Sequence, residues 1–118
     1  MYVDPSLTEY AVNLVTATRE PEKFGVPDIT EYIMYGASPR GSINLIITAR
    51  ALAFIRGRSY AVPQDVADMA LDVLRHRLVL SYEALSDGVT SDLILQQVLE
   101  CIPAPAQPFQ TSVMNNAE

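Results

Sequence analysis

The residue types that carry most enzyme chemistry are scarce in this sequence. There is one histidine, His76, and one cysteine, Cys101, far apart along the chain. One of each cannot supply a cluster of histidines or cysteines around a metal, and no HExxH or paired CxxC is present. No GxxxxGK[ST] loop is present to cradle phosphates. The 14 acidic residues show no spacing that marks a carboxylate site, and scattered surface acids are the ordinary reading. Neither catalytic nor metal-ligating residues are therefore assigned.

One basic residue is placed oddly. Gly36-Ala37-Ser38-Pro39 is the sharpest punctuation in the chain. Ser38 reads as an N-cap and Pro39 as a first helical residue, which puts Arg40 in a first helical turn. Exposed N–H groups make that end positive, so acids are favoured there and a cation is not. A phosphate outside the helix would reconcile the two, accepting from both the helix end and the guanidinium fork. An ordinary surface arginine is the competing reading. Arg56 and Arg58 flank Gly57 at a helix C-terminus, where the helix dipole alone accounts for cations. His76-Arg77 closes another helix, where the imidazole is expected to cap or pack against a backbone carbonyl.

Four main helices must position these residues. The first starts at Asp4-Pro5, carries Leu7, Tyr10, Ala11, Leu14 and Val15, and ends near Arg19-Glu20-Pro21. The second runs from Ser38-Pro39 through Ile43, Ile46, Ile47, Arg50, Ala51, Phe54 and Ile55 to Gly57. Its interleaved alanines permit packing on more than one side, which makes it the central helix. The third opens at Pro63 with Val66, Met69, Ala70, Leu71, Val73 and Leu74. Val62 is a poor cap for it, and Asp65 compensates through the dipole. Thr90 caps the fourth, with Asp92 in its first turn and Leu93, Ile94, Val98, Leu99 and Ile102 apolar. Residues 29–35 fit a short helix or a strand equally, and Tyr82 to Leu85 reads as a turn. The fold class is all-α, a small helical bundle, over residues 1–106. A flexible tail is expected over 107–118, after repeated prolines.

Composition bounds the rest. A chain of 118 residues with 49% hydrophobic content suits one small domain. A net charge of −6 argues against nucleic acid as a partner, although Arg40, Arg50, Arg56 and Arg58 allow a local basic face. A lone cysteine, no signal-peptide pattern at the start and no long apolar run fit a cytoplasmic protein without membrane insertion. Tyr10, Tyr32, Tyr35, Tyr60 and Tyr82 are candidates for core packing or for contact with a partner.

The ordered series GASPR (Gly36 to Arg40), Ala49-Arg50-Ala51-Leu52-Ala53, Gly57-Arg58, Val62-Pro63-Gln64-Asp65-Val66 and Arg75-His76-Arg77 closely resembles the C-terminal lid domain of MoxR-family AAA+ ATPases. The likeness covers everything but the tail. It implies that Arg40 is a second-sensor arginine reaching the γ-phosphate of ATP, with Gly36, Ser38 and Pro39 setting the approach. It implies ATP and Mg²⁺ held by an ATPase core outside this segment, none bound tightly by the segment alone, and a segment that is not itself an enzyme. The implied partners are that core, neighbouring subunits of a hexamer, and proteins with von Willebrand factor A domains. The implied role is that of a chaperone that remodels its partners. Two departures stand out: Gly41 where the family often has alanine, and Val62 where it has a threonine cap. A stand-alone helical protein-binding adaptor is the alternative, and a DNA-binding helical domain a third, disfavoured by net acidity and by the lack of a helix-turn-helix pattern.

Overall fold

Proline marks where the first three helices begin. In the computed structural model, which describes residues 3–105, α1 spans Pro5–Arg19, α2 Pro39–Ile55 and α3 Pro63–Leu74. Proline suits the first turn because its φ is already helical and its missing N–H is not needed there. Two further helices follow, α4 over Tyr82–Asp87 and α5 over Ser91–Cys101. N-cap side chains secure three of the five starts. Asp4 accepts from the Ser6 N–H at 2.9 Å, Ser81 Oγ from the Ala84 N–H at 3.3 Å, and Thr90 Oγ1 from the Leu93 N–H at 3.2 Å.

The all-α class holds, with one helix more than the sequence suggests. The segment read as a turn over Tyr82 to Leu85 is the short α4, closed by Gly88 at φ 73°. The ambiguous stretch at 29–35 contains both alternatives in succession. A 3₁₀ turn over Pro27–Tyr32 leads into a strand, β1, over Ile33–Tyr35. β1 pairs antiparallel with β2, Val79–Leu80, setting Ile33 opposite Leu80 and Tyr35 opposite Val79 across an irregular register. Local pattern could not reveal this, because the partner strand lies far along the chain. The tail expected over 107–118 falls outside the described residues.

α2 occupies the centre, packed against α1 and α3. It buries Gly41, Leu45, Ala49 and Ala53, a row of mostly small residues that lets neighbouring backbones approach. The bulkier apolar row that identifies the helix in sequence lies on the other side. Ile43, Ile47, Phe54 and Ile55 are 59%, 55%, 74% and 78% exposed. α1 contributes Leu7, Tyr10, Ala11, Leu14 and Val15 to the core, as its spacing predicts. α3 contributes Val66, Ala70 and Leu74, and α5 Ile94, Leu95 and Val98. Leu93, expected inside, faces out.

Helix ends show how the chain turns. α2 closes with Gly57 at φ 82°, its N–H donating to the Phe54 carbonyl at 3.0 Å. The Arg58 N–H reaches the Ala53 carbonyl at 2.9 Å, which completes a Schellman arrangement. α3 gives way to a 3₁₀ turn over Arg75–Arg77. His76 there is exposed and bonds to none of the described residues, so the capping role expected of it is not realised. Arg75 instead ties this turn to α5, its Nε donating to Asp92 Oδ1 at 2.6 Å.

Candidate anion site at the start of α2

The segment before α2 is held down by one buried hydroxyl. Thr18, near the end of α1, is fully buried. Its Oγ1 donates to the Val15 carbonyl at 2.6 Å and accepts the Ala37 N–H at 3.0 Å. One threonine thus satisfies a backbone group in each of two elements. Gly36 crosses the end of α1 so closely that a Cβ there would lie 2.7 Å from the Arg19 nitrogen and closer still to the Thr18 carbonyl group. Only glycine allows that crossing. Ala37 follows with no exposed surface.

The first turn of α2 is then wedged between its neighbours. A Cβ on Gly41 would meet Leu74 Cδ2 of α3 at 3.0 Å and Val15 Cγ2 of α1 at 3.3 Å. The departure from alanine at Gly41 thus has a steric reason in this close packing. The spacing of both helices from α2 is set at this point.

Ser38 occupies the N-cap position with extended backbone, φ −80° and ψ 168°, yet its side chain makes no capping bond. The expected hydroxyl cap is therefore absent. The Ser38 carbonyl accepts from the Gly41 N–H at 2.8 Å, and Ser42 Oγ donates to the Pro39 carbonyl at 2.7 Å. No acid lies in this turn. Arg40 is exposed and forms no ion pair with any described residue, whereas Lys23, Arg56, Arg58 and Arg75 all do. A positive helix end without a side-chain acceptor and an uncommitted guanidinium therefore share one exposed corner. That combination has the chemistry to suit an anion, phosphate above all. Of the four residues predicted for the site, Gly36 sets the backbone path, while Ser38, Pro39 and Arg40 lie at the surface.

A second charged cluster escapes the sequence reading. Asp65, in the first turn of α3, has no exposed surface. Its Oδ2 accepts from the Val62 N–H at 2.9 Å, so the helix is capped from its third residue rather than from Val62. Its Oδ1 accepts from Arg56 Nη1 at 3.1 Å and from Arg58 Nη2. Arg56 also reaches Asp68 Oδ2 at 2.7 Å. Burial pulls the Asp68 pKa upward, but hydrogen bonds from Gln64 and Arg56 outweigh it and leave it below the usual range. The Asp68 hydrogen bond is the chief cause of a raised Arg56 pKa. Ion pairing, more than the helix dipole, thus accounts for Arg56 and Arg58. The pattern of two arginines around a helix-ending glycine, followed by an acid at the third position of the next helix, was the available signal.

The supposed basic face is reduced to Arg40 and Arg50, since Arg56 and Arg58 are spent on α3. The tyrosines also divide. Tyr10 is core, Tyr32 Oη donates to Asp87 Oδ2 at 2.9 Å, and Tyr35 and Tyr82 face outward at 67% and 79% exposure. Among the described residues no group of three or more His, Cys, Asp or Glu side chains could hold a metal. No described helix is long and apolar enough to cross a membrane.

This architecture matches a known class. Residues 28–98 match the family model for the AAA lid domain. The chain belongs to the AAA lid domain family. Within that class its similarity runs to the MoxR proteins. It is 45% identical over 104 residues to Chaperone MoxR1 of Mycobacterium tuberculosis, covering 88% of this chain and 28% of that protein. It is 35% identical over 111 residues to Protein MoxR of Paracoccus denitrificans, covering 89% and 32%. A crystal structure from Cytophaga hutchinsonii, of a protein provisionally assigned as an ATPase, superposes with a TM-score of 0.85 at 38% identity, covering 88% and 32%. The chain therefore spans less than a third of the length of these relatives.

Proposed function

We propose that this chain is the lid of a MoxR-type AAA+ ATPase and chaperone, coupling the nucleotide state of a core outside the segment to movement of the bundle. Arg40 is the sensing residue. The observation that carries this reading is the uncommitted guanidinium on a helix end with no side-chain cap, anchored from below by Thr18, Gly36 and Gly41. The γ-phosphate of ATP, with its Mg²⁺ held by the core, is the anion that fits. The chain's own contribution is to present Arg40 and the α2 N-terminus as a rigid unit. When hydrolysis removes the contact, that unit is free to rotate. Among the described residues no cluster forms that could hold a metal, and this reading assigns catalysis to the core. Assembly into a hexamer, clients with von Willebrand factor A domains and a cytoplasmic setting complete the proposal.

The test is Arg40→Ala in the full-length protein. ATP turnover is expected to fall about tenfold or more, as for loss of a preorganised phosphate-binding donor, with folding unchanged. Wild-type turnover in that variant would overturn the sensor assignment and favour the adaptor reading.

A further inference from the structure

Strand β1 breaks its own alternation. Ile33 and its partner Leu80 pack against the core, so strict alternation would send Met34 outward and Tyr35 inward. The register instead slips between Ile33 and Tyr35, which leaves Met34 without a partner of its own. A bulge of this kind re-aims side chains. Met34, Tyr35 and the paired Val79 are 57%, 67% and 49% exposed, so three large apolar side chains leave the core together. α4 adds Tyr82 and Leu85, three residues apart and both exposed. It is fastened beside β1 by three bonds. The Ser81 N–H donates to the Tyr32 carbonyl at 2.9 Å, Ser81 Oγ to the Glu31 carbonyl at 2.6 Å, and Tyr32 Oη to Asp87 at 2.9 Å. Five large apolar side chains on joined elements exceed the scatter of single surface hydrophobics.

Charge selects what can cover them. Residues 29–35 and 79–88 carry Glu31, Glu83 and Asp87 but no Lys, Arg or His; Arg77, just before β2, is the nearest cation along the chain. All three carboxylates are exposed, and none forms an ion pair with a described residue. Nucleic acid or an anionic lipid surface would be repelled. A second copy of the same face would set carboxylates against carboxylates, which is costly. We infer that this face of β1, β2 and α4 docks a basic segment of a partner protein, with Lys or Arg set among apolar side chains. Apolar contact supplies the driving force, and the acids select the partner and fix its register. This goes beyond the nucleotide-sensing reading and does not depend on Arg40.

The experiment is fluorescence anisotropy on the full-length protein with two labelled synthetic peptides. One alternates Lys with Leu and Val, and the other has Glu in place of every Lys. The Lys peptide is expected to bind about tenfold or more tightly than the Glu peptide, and less tightly as salt is raised. The paired change Tyr82→Ser with Leu85→Ser should weaken it about tenfold, and so should Glu31→Lys with Glu83→Lys. Both pairs lie at exposed positions, so circular dichroism is expected to be unchanged. Glu9→Lys with Glu22→Lys, the same charge change at exposed sites elsewhere, should leave binding nearly unchanged. Equal affinity for the two peptides, or as large a loss in the Glu9 and Glu22 control, would overturn the face. No binding of either peptide would overturn the outside partner and leave the face to contacts within the protein itself. The two readings fail separately. Lost turnover in Arg40→Ala beside no peptide binding by the unaltered protein rejects the docking face alone. Wild-type turnover in Arg40→Ala with peptide binding intact rejects the sensor alone.

Discussion

At the scale of single residues, Asp65 carries the most concentrated electrostatic demand. It is fully buried and accepts from two guanidinium groups and its own helix end. Removing one partner of such a pair leaves the others uncompensated, which typically costs about 3–5 kcal/mol. Asp65→Ala is therefore expected to lower the unfolding free energy by about that amount, obtained from urea titration of helical circular dichroism. A loss below about 1 kcal/mol, the usual worth of an exposed pair, would mean the cluster is solvated. Tyr10 makes a pH prediction. Burial raises its phenol pKa above the usual value of about 10. The unfolded state then loses its proton first, so stability is complete below about pH 10 and falls as pH rises through the folded value. Tyr10→Phe should flatten that alkaline loss in melts run from pH 8 to 11. An unchanged slope would assign the loss to other groups.

At the scale of elements, the join between α1 and α2 is the part that positions Arg40 and the candidate anion site. Thr18 replaces a conventional loop contact with a buried hydroxyl that serves both sides. Thr18→Val keeps the shape and strands the Ala37 N–H, which is expected to cost about 1–3 kcal/mol by chemical denaturation. The same variant in the full-length protein should raise the KM for ATP, because Arg40 loses its fixed base. Stability lost with an unchanged KM would restrict Thr18 to a structural role. Gly36→Ala is the steric counterpart. Its Cβ would press on the Thr18–Arg19 backbone, which has no flexible end to give. A cost of about 1–3 kcal/mol or more is expected from overpacking of this kind, and Gly25→Ala makes a poor control because its φ is 74°.

At the scale of the whole molecule, α1, α2, α3 and α5 form one continuous core, and the small β1–β2 pair braces the side that carries the turn into α2. A core of this extent predicts that the 118-residue chain folds alone, with a cooperative thermal transition by circular dichroism. It should show no ATP hydrolysis and at most weak ATP binding by calorimetry, because it holds no phosphate loop. Tight stoichiometric binding would contradict the division of labour between lid and core. The exposed apolar row on α2 further predicts self-association at high concentration in the isolated chain, visible by sedimentation.

What the sequence determined by itself were the features set by short-range chemistry. Prolines at three helix starts, the glycine that ends α2 and the Asp4 and Thr90 caps fix local dihedral angles, so the starts of α1, α2, α3 and α5 and the end of α2 were legible. Arg40 was legible as an anomaly because the sign of a helix dipole depends only on position in the helix. Tertiary structure decided everything that needed a second element. Periodicity could mark α2 as apolar on several sides but not choose which side faces inward, because that choice belongs to the small residues that α1 and α3 can approach. It could not resolve 33–35, since a strand needs a partner and β2 lies far along the chain. It could not join Arg56 and Arg58 to Asp65, because the Schellman turn at Gly57 is what folds those arginines back onto α3. Nor could it show that Thr18 fastens Ala37, the contact that turns an odd arginine into a positioned one.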